Sequence, residues 1–260
     1  MLCNAQITAQ DNDLPWAVLI HGLFGSGDNL NILARALASH CNVIQIDLPD
    51  HGQSPWTDGF SFAHYCTMIV ATLAHHNVTS AHFIGHSLGG KMSMHIALTH
   101  PELVTSLCVA DIAPVNYSHR HQAVLYALNH VDLSKFIQRS EVKAQFDELL
   151  EEEGTKQFLL KSLYKDNTGT WRWRFNHQLL TRDYELLIAW PKFTTQYQGP
   201  TLFIKGQDSD YITREHQSVI LQLFPHATSK IIAGTGHWLH AQKPLAFNRI
   251  VEQFILKHLI

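Results

Sequence analysis

The stretch that most constrains the fold lies at residues 81–91, Ala-His-Phe-Ile-Gly-His-Ser-Leu-Gly-Gly-Lys. It reads as a short buried strand, a sharp turn and a helix start. Gly85-His86-Ser87-Leu88-Gly89 has the spacing G-x-S-x-G. A residue held at the apex of a strained strand-to-helix turn needs small neighbours two before and two after it, because strand and helix pass closely there. The Ser87 hydroxyl would then stand at the N-terminus of the following helix. Unpaired N–H groups and the positive end of the dipole favour developing negative charge at that point. The pentapeptide alone is a weak signal, arising by chance in roughly one chain in ten of this length. Its context strengthens it: Met92, Met94, Ile96, Ala97 and Leu98 follow without a breaker until Pro101. A glycine-rich turn without chemistry is the competing reading.

Upstream, Trp16-Ala17-Val18-Leu19-Ile20 is an apolar run short enough for a buried strand. It ends in His21-Gly22-Leu23-Phe24-Gly25-Ser26-Gly27, with Asp28 a candidate cap and Leu30, Leu33 and Leu37 at helical spacing. The loop lacks G-K-[ST] and G-x-G-x-x-G, so it is no phosphate loop. It fits an oxyanion-hole loop, with the Leu23 N–H the best donor. Residues 43–48 form a second strand. Asp50-His51-Gly52-Gln53-Ser54 crowds an acid, a base and a hydroxyl, yet sequence neighbours do not easily converge on one substrate atom. A structural turn is expected. Ser61 caps a helix to His76, with Phe62, Tyr65, Ile69 and Leu73 on one face.

Residues 104–110 are a further apolar run ending in Asp111-Ile112-Ala113-Pro114. An Asp at the end of a buried strand sits where active sites of open α/β sheets gather, though a turn or cap Asp would look the same. Residues 115–198 break the strand–helix alternation. Helical patterns dominate, roughly at 119–130, 132–138, 141–152, 156–163 and 177–190. The segment reads as an inserted helical cap, leaving 1–114 and 199–260 as the core. Lys156, Lys161, Lys165, Arg172 and Arg174 face only Asp166 between positions 156 and 174. Such a run is either solvated surface or a contact for an anionic part of a substrate. Trp171, Trp173, Phe175 and Trp190 could line an apolar pocket or pack the cap.

Alternation resumes at residues 201–206, followed by Asp208-Ser209-Asp210 and a capping Thr213. Residues 229–233 form the last strand, leading into Gly234-Thr235-Gly236-His237-Trp238. A final amphipathic helix buries Phe247, Ile250, Val251, Phe254, Ile255, His258 and Leu259. His240 competes with His237 as a base but lies deeper towards that helix, and a structural role is expected.

Composition narrows the classes. The net charge is −3 with His neutral, which leaves no nucleic-acid or membrane footprint. The N-terminus lacks a signal-peptide pattern and no run is long enough to span a bilayer. Cys3, Cys41, Cys66 and Cys108 show no C-x-x-C spacing and read as reduced core thiols of a cytoplasmic protein. His75-His76 and His119-x-His121 lack partners at metal-ligand spacing. Nineteen histidines would become positive in acid, so low pH should destabilise the fold by self-repulsion.

Strand–helix units call for a mostly parallel sheet with helices on both faces. A nucleophile on a central elbow, an Asp after a later strand and a His after the last strand give Ser…Asp…His, the chain order of α/β-hydrolases. In His21-Gly22-Leu23-Phe24-Gly25-Ser26, Asp47-Leu48-Pro49-Asp50-His51-Gly52, the elbow, Asp111-Ile112-Ala113-Pro114-Val115 and Gly236-His237-Trp238, the chain resembles the α/β-hydrolase family. Within it, the chain is similar to the small YbfF-like bacterial esterases related to abhydrolase domain-containing protein eleven. The resemblance covers nearly the whole chain and implies hydrolysis of carboxylic or thio esters, a helical cap and no cofactor. Many members carry the acid three residues after the Gly ending the penultimate strand, which here is Ser209, flanked by Asp208 and Asp210. The YbfF-like esterases use the Asp after the preceding strand, matching Asp111.

The expected set is therefore Ser87, Asp111 and His237, with Leu23 and Leu88 N–H groups as the oxyanion hole and Asp208 or Asp210 as alternative acids. The expected activity is a serine carboxylesterase on short- to medium-chain acyl esters. Its rivals are an acyl-CoA thioesterase on the same triad and a ligand-binding protein without turnover. The partner is a small-molecule ester or thioester, and both monomer and homodimer fit the pattern.

Overall fold

The structure, a computed structural model, describes residues 1–9 and 13–259. Its frame is a seven-stranded sheet ordered β1-β3-β2-β4-β5-β8-β9. The strands are β1 (Ala5–Thr8), β2 (Trp16–Ile20), β3 (Asn42–Ile46), β4 (Ala81–His86), β5 (Val104–Ala110), β8 (Thr201–Gly206) and β9 (Ala227–Ile232). β1 pairs antiparallel with β3, and every other neighbour is parallel. β6 (Leu163–Lys165) and β7 (Trp171–Trp173) form a separate antiparallel pair. The elbow strand β4 is central, so its C-terminal end meets loops from both sides.

The apolar runs sit inside because a parallel sheet is covered on both faces. Alternate residues serve opposite cores, as the two-residue period of a strand requires. Val18, Ile20, Ile44, Phe83 and Val109 face one core, which includes Tyr65, Ile69 and Leu73 of α2 (Phe62–His75). Ala17, Leu19, Val43, Ile84 and Cys108 face the other. That second core is closed by Leu33 and Leu37 of α1 (Asn31–Leu37) and by Phe247, Val251 and Ile255 at the C-terminal end. The elbow helix α3 (Leu88–Thr99) lies on the α2 side and is buried from Leu88 to Leu98.

Between β5 and β8 the chain adds α4 (Gln122–His130), α5 (Arg139–Leu149), α6 (Glu153–Lys161), the β6–β7 pair, α7 (His177–Arg182) and α8 (Tyr184–Ile188). After β8 come α9 (Gln217–Leu223), α10 (Leu239–Gln242) and α11 (Pro244–Lys257). The inserted segment adds no strand to the large sheet. It is pinned to the rest through Asp50, whose carboxylate accepts from Thr57, from the Tyr65 hydroxyl at 2.7 Å and from Asn176 Nδ2 at 2.8 Å. Asp50-His51-Gly52 is thus a structural turn. All four cysteines are buried and free, and burial pushes the Cys3 and Cys41 thiols up to about 11. Among the described residues, no helix is long and apolar enough to cross a membrane.

Local structure departs from the sequence reading in four places. β1 was not anticipated, and β6 and β7 stand where the pattern suggested helix or nothing. Ser26, not Asp28, occupies the cap before residues 27–30, its N–H donating to Asn29 Oδ1 at 2.7 Å. The helical stretch at 177–190 is two short helices broken at Asp183, whose carboxylate accepts the Phe60 N–H at 2.8 Å.

Candidate active site

The elbow is built by close approach. A Cβ on Gly85 would lie 2.2 Å from the Gly89 carbonyl oxygen, and one on Gly89 would lie 2.2 Å from the Ile20 carbonyl oxygen. With that clearance β4 turns into α3 through Ser87, which takes φ +53° and ψ −119°. A serine there pays a conformational cost that its surroundings must impose. The Ser87 N–H donates to the Ala110 carbonyl at 3.0 Å, locking the turn onto β5.

Asp111 follows β5, also at positive φ (+52°), and is fully buried. Its N–H donates to the Ile204 carbonyl at 2.8 Å, which ties it to β8. Its carboxylate accepts three bonds: from the Gly206 N–H at 3.0 Å, from His237 Nδ1 at 2.8 Å and from the Ser209 hydroxyl. His237 Nε2 lies 2.9 Å from Ser87 Oγ. An ionised carboxylate only accepts, so Nδ1 carries the proton and the Nε2 lone pair faces the serine. Tyr211 stacks on the His237 ring, centroids 3.7 Å apart and planes 14° apart. That contact holds the imidazole in plane with both partners.

The loop after β2 is set by His21. Its Nδ1 donates to the Gly22 carbonyl at 2.7 Å, and its Nε2 accepts the Leu48 N–H at 3.0 Å. The Gly25 N–H also donates to the Gly22 carbonyl, at 3.1 Å. In a trans peptide C=O and N–H point opposite ways, so anchoring that carbonyl aims the Leu23 N–H outward. Leu88 opens α3, and its N–H has no intrahelical acceptor. Burial and the neighbouring His240 and His237 hold His86 well below the usual imidazole range. Its Nε2 donates to the His237 carbonyl at 2.9 Å, holding His237 by its backbone. His240 is buried against His86, centroids 4.3 Å apart, and burial lowers it to about 4.

Ser87 opens on a cavity of about 460 Å³ bordered by Leu23, His121, Phe158, Leu159, His237 and Trp238, among others. A smaller space of about 40 Å³ also borders Ser87 and shares Leu23, Arg120, His121 and Tyr211 with the first. The other expected acids are elsewhere. Asp210 pairs with Arg120, and Asp208 is exposed. Trp171, Trp173, Phe175 and Trp190 line neither space; Trp173 stacks between Phe146 and Phe175 as packing. Of the basic cluster, Lys156 pairs with Asp147 and Glu153, and Arg172 with Asp166. Lys161 and Arg174 border an adjoining groove. Among the described residues, no group of three His, Cys, Asp or Glu side chains is arranged to hold a metal. Sequence reasoning missed Ser209 as a partner of Asp111, although it marked that position as the common place of the acid. It had no signal for Tyr211, Arg120 or His121, which a fold alone brings together.

The profile of the α/β hydrolase fold matches residues 15–244. The chain is 38% identical to esterase YbfF of Escherichia coli K12 over 95% of this chain and 94% of that one. It is 33% identical to the mouse sn-1-specific diacylglycerol lipase ABHD11, over 94% and 82%. Among solved structures, a marine microorganism esterase superposes with a TM-score of 0.94 at 32% identity, covering 97% of this chain and 99% of that one. With a matching fold profile, a mostly parallel sheet and relatives named as esterases and lipases, the chain belongs to the α/β-hydrolase family and is a hydrolytic enzyme of its esterase branch.

Proposed function

We propose that the chain is a serine carboxylesterase acting on short- to medium-chain acyl esters through Ser87, His237 and Asp111. The observation that carries this is the unbroken line from Ser87 Oγ through His237, 2.9 Å and 2.8 Å, to a buried carboxylate at the edge of a cavity. In this reading Ser87 attacks the ester carbonyl while His237 Nε2 takes its proton. The same proton passes to the departing alcohol, and water then repeats the sequence on the acyl-enzyme. Asp111 holds the tautomer and balances the imidazolium. The Leu23 and Leu88 N–H groups receive the oxyanion, where losing one donor costs about 3–4 kcal/mol. Residues 115–198 act as a cap over a core of 1–114 and 199–260, with no cofactor.

The test is labelling by a fluorophosphonate probe together with p-nitrophenyl ester turnover. Labelling confined to Ser87, and only trace turnover in Ser87→Ala, is the expected result. An unlabelled Ser87 in a folded, active protein would overturn the reading. The acyl-CoA alternative draws on Lys161 and Arg174 beside the adjoining groove, since Lys156 and Arg172 are already paired. A salt-sensitive preference for acyl-CoA over a matched simple ester would favour it.

A further inference from the structure

We infer that the His121 imidazole and the Tyr211 hydroxyl form a polar clamp beside Ser87, selecting esters that carry a free hydroxyl near the reacting carbonyl. This rests on the role proposed for Ser87 and adds a substrate class to it.

The two spaces at Ser87 meet where five residues border both: Leu23, Ser87, Arg120, His121 and Tyr211. In the reading above Ser87 supplies the nucleophile and Leu23 a backbone N–H. Arg120 is engaged: it pairs with Asp210, and its guanidinium lies 4.7 Å from the Tyr211 ring centroid and 5.3 Å from that of Tyr117. His121 and Tyr211 remain. Polar groups deeper in the small space are engaged as well. Lys91 Nζ donates to the carbonyls of Ile188 at 2.7 Å and Ala189 at 2.8 Å. The Tyr117 hydroxyl donates to the Tyr211 carbonyl at 2.6 Å and accepts the Ala113 N–H at 2.8 Å.

His121 and Tyr211 are held in place yet under-bonded. The Tyr211 ring stacks on His237 and is approached by the Arg120 guanidinium, so its hydroxyl edge is what it offers a ligand. His121 Nδ1 lies 2.7 Å from the Tyr184 hydroxyl, which orients the imidazole. Its Nε2 lies 3.4 Å from the Tyr211 hydroxyl, beyond the usual hydrogen-bond range for such atoms. Both residues are half-buried, and among the described residues this long contact is the sole bond of either atom. Burial, with His237 and Arg120 nearby, lowers His121 to about 4, so the ring is neutral at working pH. A neutral imidazole has one donor and one acceptor nitrogen. With the proton on Nδ1, facing Tyr184, Nε2 accepts. A ligand hydroxyl set between the two atoms then takes the Tyr211 proton and gives its own to Nε2, so one long contact becomes two normal bonds. A methyl group in its place leaves both atoms unpaired, and a site built for a hydroxyl discriminates on that account.

Matched ester pairs on the full chain test this, with the hydroxyl on either half of the substrate. Methyl β-hydroxybutyrate is compared with methyl isovalerate, and ethylene glycol monobutyrate with propyl butyrate. Each kcat/KM ratio is divided by the ratio for hydroxide-catalysed hydrolysis, which removes intrinsic reactivity. At least one pair should favour the hydroxy ester by about fivefold or more. That preference should fall below about twofold in both His121→Phe and Tyr211→Phe. Tyr211→Phe keeps the ring that stacks on His237 and removes only the hydroxyl, and a ratio cancels any loss of overall turnover. A smaller preference in both wild-type pairs, or one that outlasts either substitution, would overturn the clamp. If one variant does not fold, the wild-type ratios and the other variant decide. A labelled Ser87 without hydroxyl preference defeats only this inference, whereas an unlabelled Ser87 defeats the reading beneath it.

Discussion

Two loops at the same edge of the sheet invite comparison: the one after β5, carrying Asp111, and the one after β8, carrying Asp208, Ser209 and Asp210. Their strands are neighbours, with Ala110 in register with Ile204. Both loops contribute to one carboxylate site, yet only one supplies the carboxylate. The β5 loop reaches it by forcing Asp111 into positive φ. The β8 loop sends the Ser209 hydroxyl and the Gly206 N–H to the same oxygens. In this chain the carboxylate comes from the end of β5 and two of its donors come from the end of β8. The flanking Asp208 and Asp210 show how strict this is, since a one-residue offset turns a side chain out to solvent or towards Arg120.

Removing the carboxylate proposed as the acid gives the largest expected effect. Asp111→Asn should lower kcat/KM by about 10³–10⁴-fold, because an amide presents the wrong partner to His237 Nδ1. Placing the acid on the other loop sharpens the comparison: Asp111→Asn combined with Ser209→Asp should recover part of that loss. Stability in acid comes next and separates the site from its frame. Burial lowers His82 and His240 to about 4, so in the folded protein they stay neutral while the unfolded chain takes up protons. Their contribution is fully present above the unfolded value near 6.5 and is lost as pH falls towards 4. At pH 5 each costs about 2 kcal/mol, to be read by denaturant titration at pH 7.5 and 5. Equal stability at the two values would sink that account. Ser209→Ala should reduce kcat/KM by about tenfold, as expected for losing one bond to a charged acceptor, with the fold unchanged. Asp208→Asn and Asp210→Asn should change turnover by less than about twofold, given their exposure. A reversal of the Asp111 and Asp208 outcomes would move the acid to the β8 loop.

The central frame was legible because burial on both sheet faces writes strands such as residues 16–20 and 104–110 as continuous apolar runs. The elbow was legible because its glycines answer to steric contacts within a dozen residues. β1 was not, since Ala-Gln-Ile-Thr is a half-exposed edge strand without an apolar run. The β6–β7 pair was missed because its strands have three residues each. It is held by a turn in which Asp166 Oδ1 accepts the Thr168 and Thr170 N–H groups at 2.9 and 3.0 Å. His237 and Asp111 could be placed by chain order, but the neighbours that orient them come from distant segments. Tyr211, His86 and Ser209 act through register and packing, which no local pattern records. The aromatic residues of the insertion stayed open for the same reason: Trp173 looks alike as a pocket wall or as packing until Phe146 and Phe175 are seen on its two faces, and with Trp171 and Phe175 it also borders a separate cavity of about 650 Å³.

The grip of Lys91 on the Ile188 and Ala189 carbonyls has a mechanical meaning for traffic through the site. It fastens the end of α8 to the same helix that presents Ser87, through a lysine that is 2% exposed and whose amine burial lowers to about 7. Any swing of the inserted segment that started there would leave a buried amine without its two acceptors. The exit of that segment is therefore fixed to the helix that carries Ser87, and any path to the nucleophile has to be found away from that joint.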